Sequence, residues 1–341
     1  MGRPLRNRLA LPLGFAFLIV AMLIGALVGP VHIGVGDVLR AIGAHIFGLR
    51  SPLHGASDAI VWELRLPRVV LGVIVGGTLA AAGAAYQGVF RNPLADPYLL
   101  GAAAGAGLGA TLAVAYIPSS APQRDLLPLA AFAGASVAVV AAYALGSSTG
   151  SVSASASLVL AGVTIAAFFT AMQTFVQQQH LDTIQEVYSW LLGRLATAGW
   201  REVAIVLPYA LLSWVVIILH RRYLDVLAVG DEEAAALGVN VTRVRLLVVA
   251  AATIGTAAAV AVSGLIAFVG IIVPHTIRLL VGGSYRLLLP LSIVVGGGFL
   301  VLADVLARTI VSPGELPIGV VTAFFGAPFF AVVLRTSRRY G

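Results

Sequence analysis

The side chains able to carry chemistry in this sequence are few and unusual in type. Its 21 basic residues are all arginine, set against 14 acidic residues, 6 histidines and no cysteine. Without cysteine there are no disulfides, thiolate metal sites or cysteine nucleophiles. Without lysine there is no G-x-x-x-x-G-K-[ST] phosphate loop and no Schiff-base chemistry, so the chain cannot hydrolyse ATP by that route. Neither an H-E-x-x-H helix nor a pair of aspartates on facing helices suggests an intramembrane enzyme. Asp304 lies four residues before Arg308, a spacing that pairs them on a helix. The densest charge is RRYLDVLAVGDEEAAALGVNVTRVR, from Arg221 to Arg245. Within it, Asp231–Leu237 reads as a short helix with acids in its first turn and Gly238 just past its end. Such a helix is too short to span a bilayer and too polar to lie in one. It is either a solvated connector or a docking helix whose contact face is Ala234, Ala235, Ala236 and Leu237.

The elements that must hold these groups are apolar. Of 341 residues, 60% are hydrophobic and 10% charged, with a mean hydropathy of +1.00. A water-soluble chain has roughly 45–50% apolar and about 25% charged residues, so most of this surface must face lipid. At roughly 20 residues per span, the composition leaves room for about ten helices and no sizeable soluble domain. One transmembrane domain is expected over 1–341, with spans near 11–29, 66–90, 98–117, 126–146, 157–178, 203–220, 246–264, 265–281, 287–311 and 317–334. Segment 221–245 remains as the polar connector. The run 246–281 would extend about 54 Å as one helix, against a hydrocarbon core of about 30 Å. It must break, most naturally between Gly264 and Pro274.

Arg3, Arg6 and Arg8 precede the first apolar run, which lacks a small-x-small cleavage site and is long for a signal peptide; it reads as an uncleaved span. Arginines are commoner on the side of both termini, with pairs at Arg221/Arg222, Arg243/Arg245 and Arg338/Arg339. The positive-inside rule then puts both termini in the cytoplasm. No basic run is compact enough to suggest nucleic acid. Residues 30–64, with His32, His45 and His54, read as an external loop holding a short helix. Single histidines there, and His180, are ordinarily solvated.

Two spacings repeat. Gly83, Pro93 and Gly101 are matched by Gly264, Pro274 and Gly282. Gly162-Val163-Thr164 with Phe168-Phe169 is matched by Gly319-Val320-Val321-Thr322 with Phe324-Phe325. Five spans separate the copies, so they must be inverted relative to each other, a transporter signature that puts a pathway at the repeat interface.

The most specific stretches are LRLPR (64–68), AAAGAAYQGVFRNPLADPYLLG (80–101), GDEEAAALG (230–238), GLIAFVGIIVPHTIRLL (264–280), LADVLAR (302–308) and ELPIGVVTAFFGAPFF (315–330). In this order the chain, from residue 60 onward, resembles the permease subunits of the iron-siderophore, haem and cobalamin ABC importers (FecCD/BtuC-like). The resemblance implies an all-α membrane protein of about ten transmembrane helices with inverted repeats, the BtuC-like type II importer fold. It also implies a non-catalytic subunit in the cytoplasmic membrane, acting by alternating access. Its expected partners are an ABC ATPase dimer carrying ATP and magnesium, an extracytoplasmic substrate-binding protein, membrane lipid and a second permease chain, most simply an identical one. No cofactor or metal is expected on this chain.

Residue by residue, the resemblance makes Arg65, Arg68 and Arg308 external arginines that meet acids on the binding protein. It makes Glu232, Glu233, Ala236, Leu237 and Gly238 the ATPase-coupling segment. Asn92 and Leu94, around Pro93, correspond to an inner gate, with Ser155 at a second constriction. Thr164, Thr170, Gln173, Thr174 and Gln177 on the fifth span, with Thr322 and Phe325 on the tenth, correspond to pathway-lining residues. His275 follows Pro274 at a place where the family carries histidine whatever the substrate, so a structural hydrogen bond is expected. A ferric siderophore is the leading substrate, with haem and cobalamin open. An ATP-independent secondary transporter is the alternative class, but it would want intramembrane acids for ion coupling, and it leaves the 231–238 helix unexplained.

Overall fold

The computed structural model describes residues 3–118, 121–147, 154–196 and 199–337, and every regular element among them is a helix. The first, α1 (Arg3–Leu27), is followed by the short α2 (Val35–Phe47). Then α3 (Ala56–Ala59) runs through a π-turn, Ile60–Arg65, straight into α4 (Leu66–Val89). This helix therefore begins ten residues before the expected span, within what reads from sequence as a loop. Next come α5 (Ala102–Tyr116), α6 (Ala121–Ser147), α7 (Ala154–Gln179), α8 (Ile184–Leu191) and α9 (Trp200–Leu219). The charged stretch forms α10 (Arg221–Leu227) and α11 (Asp231–Ala236), and the chain finishes with α12 (Val241–Ser263), α13 (Val269–Val281), α14 (Tyr285–Thr309) and α15 (Ile318–Ser337). Among the described residues, seven helices are long and apolar enough to cross a membrane, and α5, α13 and α15 add three shorter apolar ones.

Helix α4 is the hub. Its apolar window is 89% buried, against 28% for α1, α6 and α9. A hub of this kind needs neighbours whose backbones come close, and small residues permit that. At Gly76 a Cβ would sit 2.3 Å from the carbonyl oxygen of Gly296 on α14, so only glycine fits the crossing. Leu71, Leu79 and Tyr86 of α4 are fully buried, and the Tyr86 hydroxyl is 2.9 Å from the Thr253 hydroxyl of α12.

The repeat is visible in helix lengths. Helices α4–α7 have 24, 15, 27 and 26 residues, and α12–α15 have 23, 13, 25 and 20. The second helix of each set is about 20 Å long at 1.5 Å per residue, short of the roughly 30 Å core. Non-helical chain supplies the missing depth: 91–101 before α5 and 264–268 before α13. The break in 246–281 thus falls at Gly264–Phe268, and Pro274 lies inside α13. Each break leans on a glycine of the last helix of its own half. A Cβ at Gly162 on α7 would meet the Leu99 carbonyl at 2.3 Å, and one at Gly319 on α15 would meet that of Leu265 at 3.0 Å. The second sequence repeat therefore marks equivalent positions. The first does not: Gly83 lies inside α4 against Gly270, whereas Gly264 ends α12.

Candidate functional site

Three places concentrate the polar chemistry. At one end of the bundle, Arg65, Asp304 and Arg308 are 5%, 3% and 4% exposed. The Arg65 guanidinium donates to the carbonyls of Ala26 and Leu27 at 3.4 and 3.2 Å, and to that of Val31. Arg308 donates to the Gly25 carbonyl at 2.6 Å. These are the final carbonyls of α1 and its continuation, which have no partner within the helix and carry the negative end of its dipole. Two guanidinium groups cap that end. Arg68 presents one edge to Asp304, at 3.0 Å from Nε and 2.8 Å from Nη2, and the other to Glu315, at 2.9 Å from each terminal nitrogen. Arg308 stands 3.5 Å from Asp304. The reading of Arg65 and Arg308 as exposed rim residues is corrected: they are buried and spent on the scaffold, and only Glu315, with 36% of its side chain accessible, opens to solvent.

At the opposite end, α11 projects as a small foot. Asp231 anchors it through Arg245 at 3.0 Å and Arg91 at 3.6 Å. Its C-terminus closes with Gly238 N–H on the Ala235 carbonyl and Val239 N–H on that of Ala234, at 2.9 and 3.0 Å, a Schellman arrangement. Gly238 has φ +82°, which a glycine adopts at no steric cost. Asn240 then caps α12, its side chain accepting from Arg243 N–H at 2.9 Å. Glu232, Glu233, Ala235, Ala236, Leu237 and Gly238 are exposed, Leu237 at 70%. Ala234 is fully buried, so it supports the foot and does not belong to its contact face.

Between the two ends the non-helical breaks meet. The Tyr98 hydroxyl donates to the Ile266 carbonyl at 3.1 Å and accepts from Ile266 N–H at 3.2 Å, joining the first half's break to the second's. Gln87 donates to the Gly270 carbonyl at 3.2 Å and accepts from Arg278 at 2.9 Å. Irregular backbone at membrane depth is tolerated only where protein groups satisfy it in this way. At the foot end of the first break, Asn92 Oδ1 accepts from Leu94 N–H at 2.9 Å, closing a tight turn beside Arg91. Asn92 is exposed and Leu94 half-buried.

The all-helical bundle of apolar spans describes a multi-span membrane protein, and the match to known families decides which. The model of the FecCD transport family matches residues 17–336. The chain belongs to the FecCD transport family. It is 42% identical to the cobalamin import system permease protein BtuC of Halobacterium salinarum over 86% of this chain and 78% of that protein. It is 35% identical to the Fe(3+)-citrate import system permease protein YfmE of Bacillus subtilis, over 95% of this chain and 96% of that one. A solved inward-facing structure of a metal-chelate type ABC transporter superposes with a TM-score of 0.83 at 28% identity, covering 96% of this chain and 98% of the other. The chain is thus a multi-span membrane permease, an ABC transporter subunit by family.

For this FecCD permease the residues expected along a pathway separate into two groups. Thr164, Thr170 and Thr174 lie on the exposed face of α7, and Phe325 is 48% exposed on α15. Thr164 and Thr174 satisfy their hydroxyls on the carbonyls of Leu160 and Thr170, at 2.9 Å each, which leaves that face smooth. Gln177 is half-buried. Two expectations are corrected. Gln173 is buried, its carboxamide filling the space left by Gly107 on α5. Thr322 is fully buried and bonds the Gly319 carbonyl at 3.1 Å. Neither reaches a surface on which a pathway could run. The side chain of Ser155 lies outside the described residues, at the first turn of α7. His275 is half-buried edge-on to the Phe329 ring at 5.9 Å, and its Nδ1 has no hydrogen-bond partner among the described residues.

Sequence reasoning missed Tyr98, Asp231 and α8. A tyrosine inside DPYLLG, flanked by Asp96 and Pro97, is the signal that could have flagged Tyr98 as a buried polar residue. Asp231 reads from sequence as an N-terminal helix acid and reveals nothing of its distant partner Arg91. Helix α8 is eight residues long, with only Val187 and Trp190 turned inward, too short for a periodicity argument.

Proposed function

We propose that this permease forms the translocation path of an ATP-driven importer for an iron chelate, most simply a ferric siderophore, working by alternating access. The observation that carries the reading is the bare Leu237 on a rigid, acid-capped foot. An apolar side chain this exposed on so small and well-fixed an element suits a protein partner, and a chain without lysine has to receive ATP energy from another subunit carrying ATP and magnesium. The foot end is then cytoplasmic, with both termini, in the inner membrane. Two permease chains, most simply identical, face each other across the pathway, with α7 and α15 contributing Thr164, Thr170, Thr174 and Phe325. The Arg91–Asp231 pair links the foot to the Asn92–Leu94 turn, so a push on α11 reaches the inner gate directly.

At the outer end, an extracytoplasmic binding protein docks through the Arg68–Glu315 edge, while Arg65 and Arg308 keep α1 in place. Glu315 is the part of this edge open to solvent, so an acid of the partner reaches Arg68 by displacing Glu315. The relatives named for Fe(3+)-citrate and cobalamin import support a chelate or corrinoid substrate; haem stands as the other alternative. The test is reconstitution of the permease with candidate ABC ATPase and binding-protein subunits from the same organism. Substrate-loaded binding protein is expected to stimulate ATP hydrolysis and drive uptake of the compound it carries. Uptake driven by an ion gradient with no ATPase present would establish a secondary transporter in its place.

A further inference from the structure

Helix α2 has three distinct sides. Val35, Leu39 and Ile46 are all exposed, and with the half-buried Ile42 they fall at i, i+4, i+7 and i+11, a single apolar stripe. Asp37 and Arg40 pair at 2.7 Å on roughly the opposite side. Between these two sides, Val38, Ala41 and Ala44 are buried against the protein.

The way α2 is held sets its direction. Val38 shares a buried apolar cluster with Ala26, in the last turn of α1, and with Val61 of the π-turn. Two turns further on, the His45 ring stacks on Trp62 with centroids 4.3 Å apart. His45 Nε2 also lies 2.9 Å from Asp58, whose other carboxylate oxygen accepts from the Ser51 hydroxyl at 2.6 Å. Residues two turns apart on α2 thus meet adjacent positions of the continuous helix Ala56–Val89. Helix α2 therefore crosses that helix, and because Ala56–Val89 crosses the bilayer, α2 lies along the membrane plane. Its depth follows from Trp62, which stands about 40 Å along the helix from Val89, close to the full thickness of about 40–45 Å that a bilayer has with its headgroups. Trp200 stands at the same level, its ring 5.2 Å from that of Trp62 and its indole N–H on the Trp62 carbonyl at 2.9 Å, as in the tryptophan belts of membrane–water interfaces.

With its buried side turned to the bundle, α2 has one remaining side toward water and one toward the bilayer. The ion pair takes the water and the apolar stripe takes the lipid, continuing the exposed apolar surface that Leu23 and Val28 bring up along α1. We propose that α2 is an interfacial anchor, whose Val35–Leu39–Ile46 stripe inserts into the lipid surface at the Arg65 end of the bundle. Apolar area at the headgroup boundary supplies the attachment, and since Arg40 is already paired, a zwitterionic lipid suffices. Held in this way, α2 fixes the depth of the end of α1 that Arg65 and Arg308 cap. The anchor depends on the chain's membrane placement alone and on neither the substrate nor the partners.

The chain has no cysteine, so single cysteines carry an environment-sensitive fluorophore without background labelling. The full-length permease is placed alone in phosphatidylcholine nanodiscs, and quenching by iodide in the water is compared with quenching by lipids bearing a nitroxide just below the headgroup. Labels at Leu39→Cys and Ile46→Cys are expected to emit at shorter wavelength and to be quenched roughly threefold more by the nitroxide lipid than by iodide, as insertion at the headgroup boundary requires. A label at Arg40→Cys is expected to show the reverse preference. Melting of each labelled variant in detergent checks the fold; if Leu39→Cys or Ile46→Cys does not fold, Val35→Cys reports on the same stripe. Iodide quenching as strong on the stripe as at Arg40→Cys would put the stripe in water. Shielding of the stripe from both quenchers would mean that protein, such as a second permease copy, covers it. Either result would overturn the proposal.

Discussion

The two ends of the bundle use charge in opposite ways. At the end built around Arg65, Arg68 and Arg308, the charged groups are drawn inward: Arg65 and Arg308 are 5% and 4% exposed and cap α1, while Arg68 and Arg308 share Asp304. At the end built around α11, the charged Asp231 holds the base while Leu237, 70% exposed, is left in solvent. Identical reasoning from sequence expects contact residues at both. The difference arises because an arginine has five donors and a long stem, so it can cross to another helix's orphan carbonyls. Leu237, just past the six-residue α11, has a short stem and stays 70% exposed. Arginine spacing is therefore a poor marker of exposure here.

Substitutions break or sharpen that contrast. The largest effect is expected from Asp304→Asn, which leaves Arg68 and Arg308 without their shared buried carboxylate. Removing one partner of such a cluster costs about 3–5 kcal/mol, so thermal unfolding in detergent should drop sharply; an unchanged melting temperature would mean the cluster is solvated. Leu237→Arg is expected to leave stability untouched yet weaken ATPase binding by roughly 30-fold, the size of a hot-spot loss of about 2 kcal/mol, read by co-purification of the two subunits. Asp231→Asn removes half-exposed pairs worth about 0–1 kcal/mol in stability. Its expected signature is kinetic: ATP hydrolysis persists while uptake per ATP falls, because the tie from foot to gate turn is cut. The smallest stability change belongs to Glu315→Gln, below about 1 kcal/mol. That substitution frees one edge of Arg68 and should tighten binding-protein docking, most visibly at low salt; unchanged docking would remove Arg68 from the contact surface.

The fold was legible where hydropathy is continuous. Long apolar runs overlap α1, α6, α7, α9, α12 and α14, because a lipid-facing helix must satisfy its backbone internally and be apolar throughout, but α1 begins eight residues before its run and α6 and α12 five before theirs. The breaks were less legible. Over 246–281, length alone demanded an interruption, but sequence put no limit on it beyond Gly264 to Pro274. The actual site depends on Leu265 packing onto Gly319 and Ile266 bonding Tyr98, both contacts across helices far apart in the chain. At the site level, the foot could be read because its helix, acids and terminal glycine are local. Burial of Gln173 and Thr322 could not, since on an otherwise apolar helix a polar residue turned toward a neighbour and one turned toward a pathway have the same spacing. Arg65 illustrates the same limit: its partners are backbone carbonyls 34 to 39 residues away, which no side-chain motif encodes.

The measurement that bears most directly on an externally powered conduit is uptake into proteoliposomes containing the permease, its partner ATPase and the loaded binding protein, with wild-type and Leu237→Arg permease compared side by side. The account predicts ATP-dependent accumulation with wild type and loss of both uptake and stimulated hydrolysis with the substituted foot. Accumulation by the permease alone, or full coupling with Leu237→Arg, would contradict it.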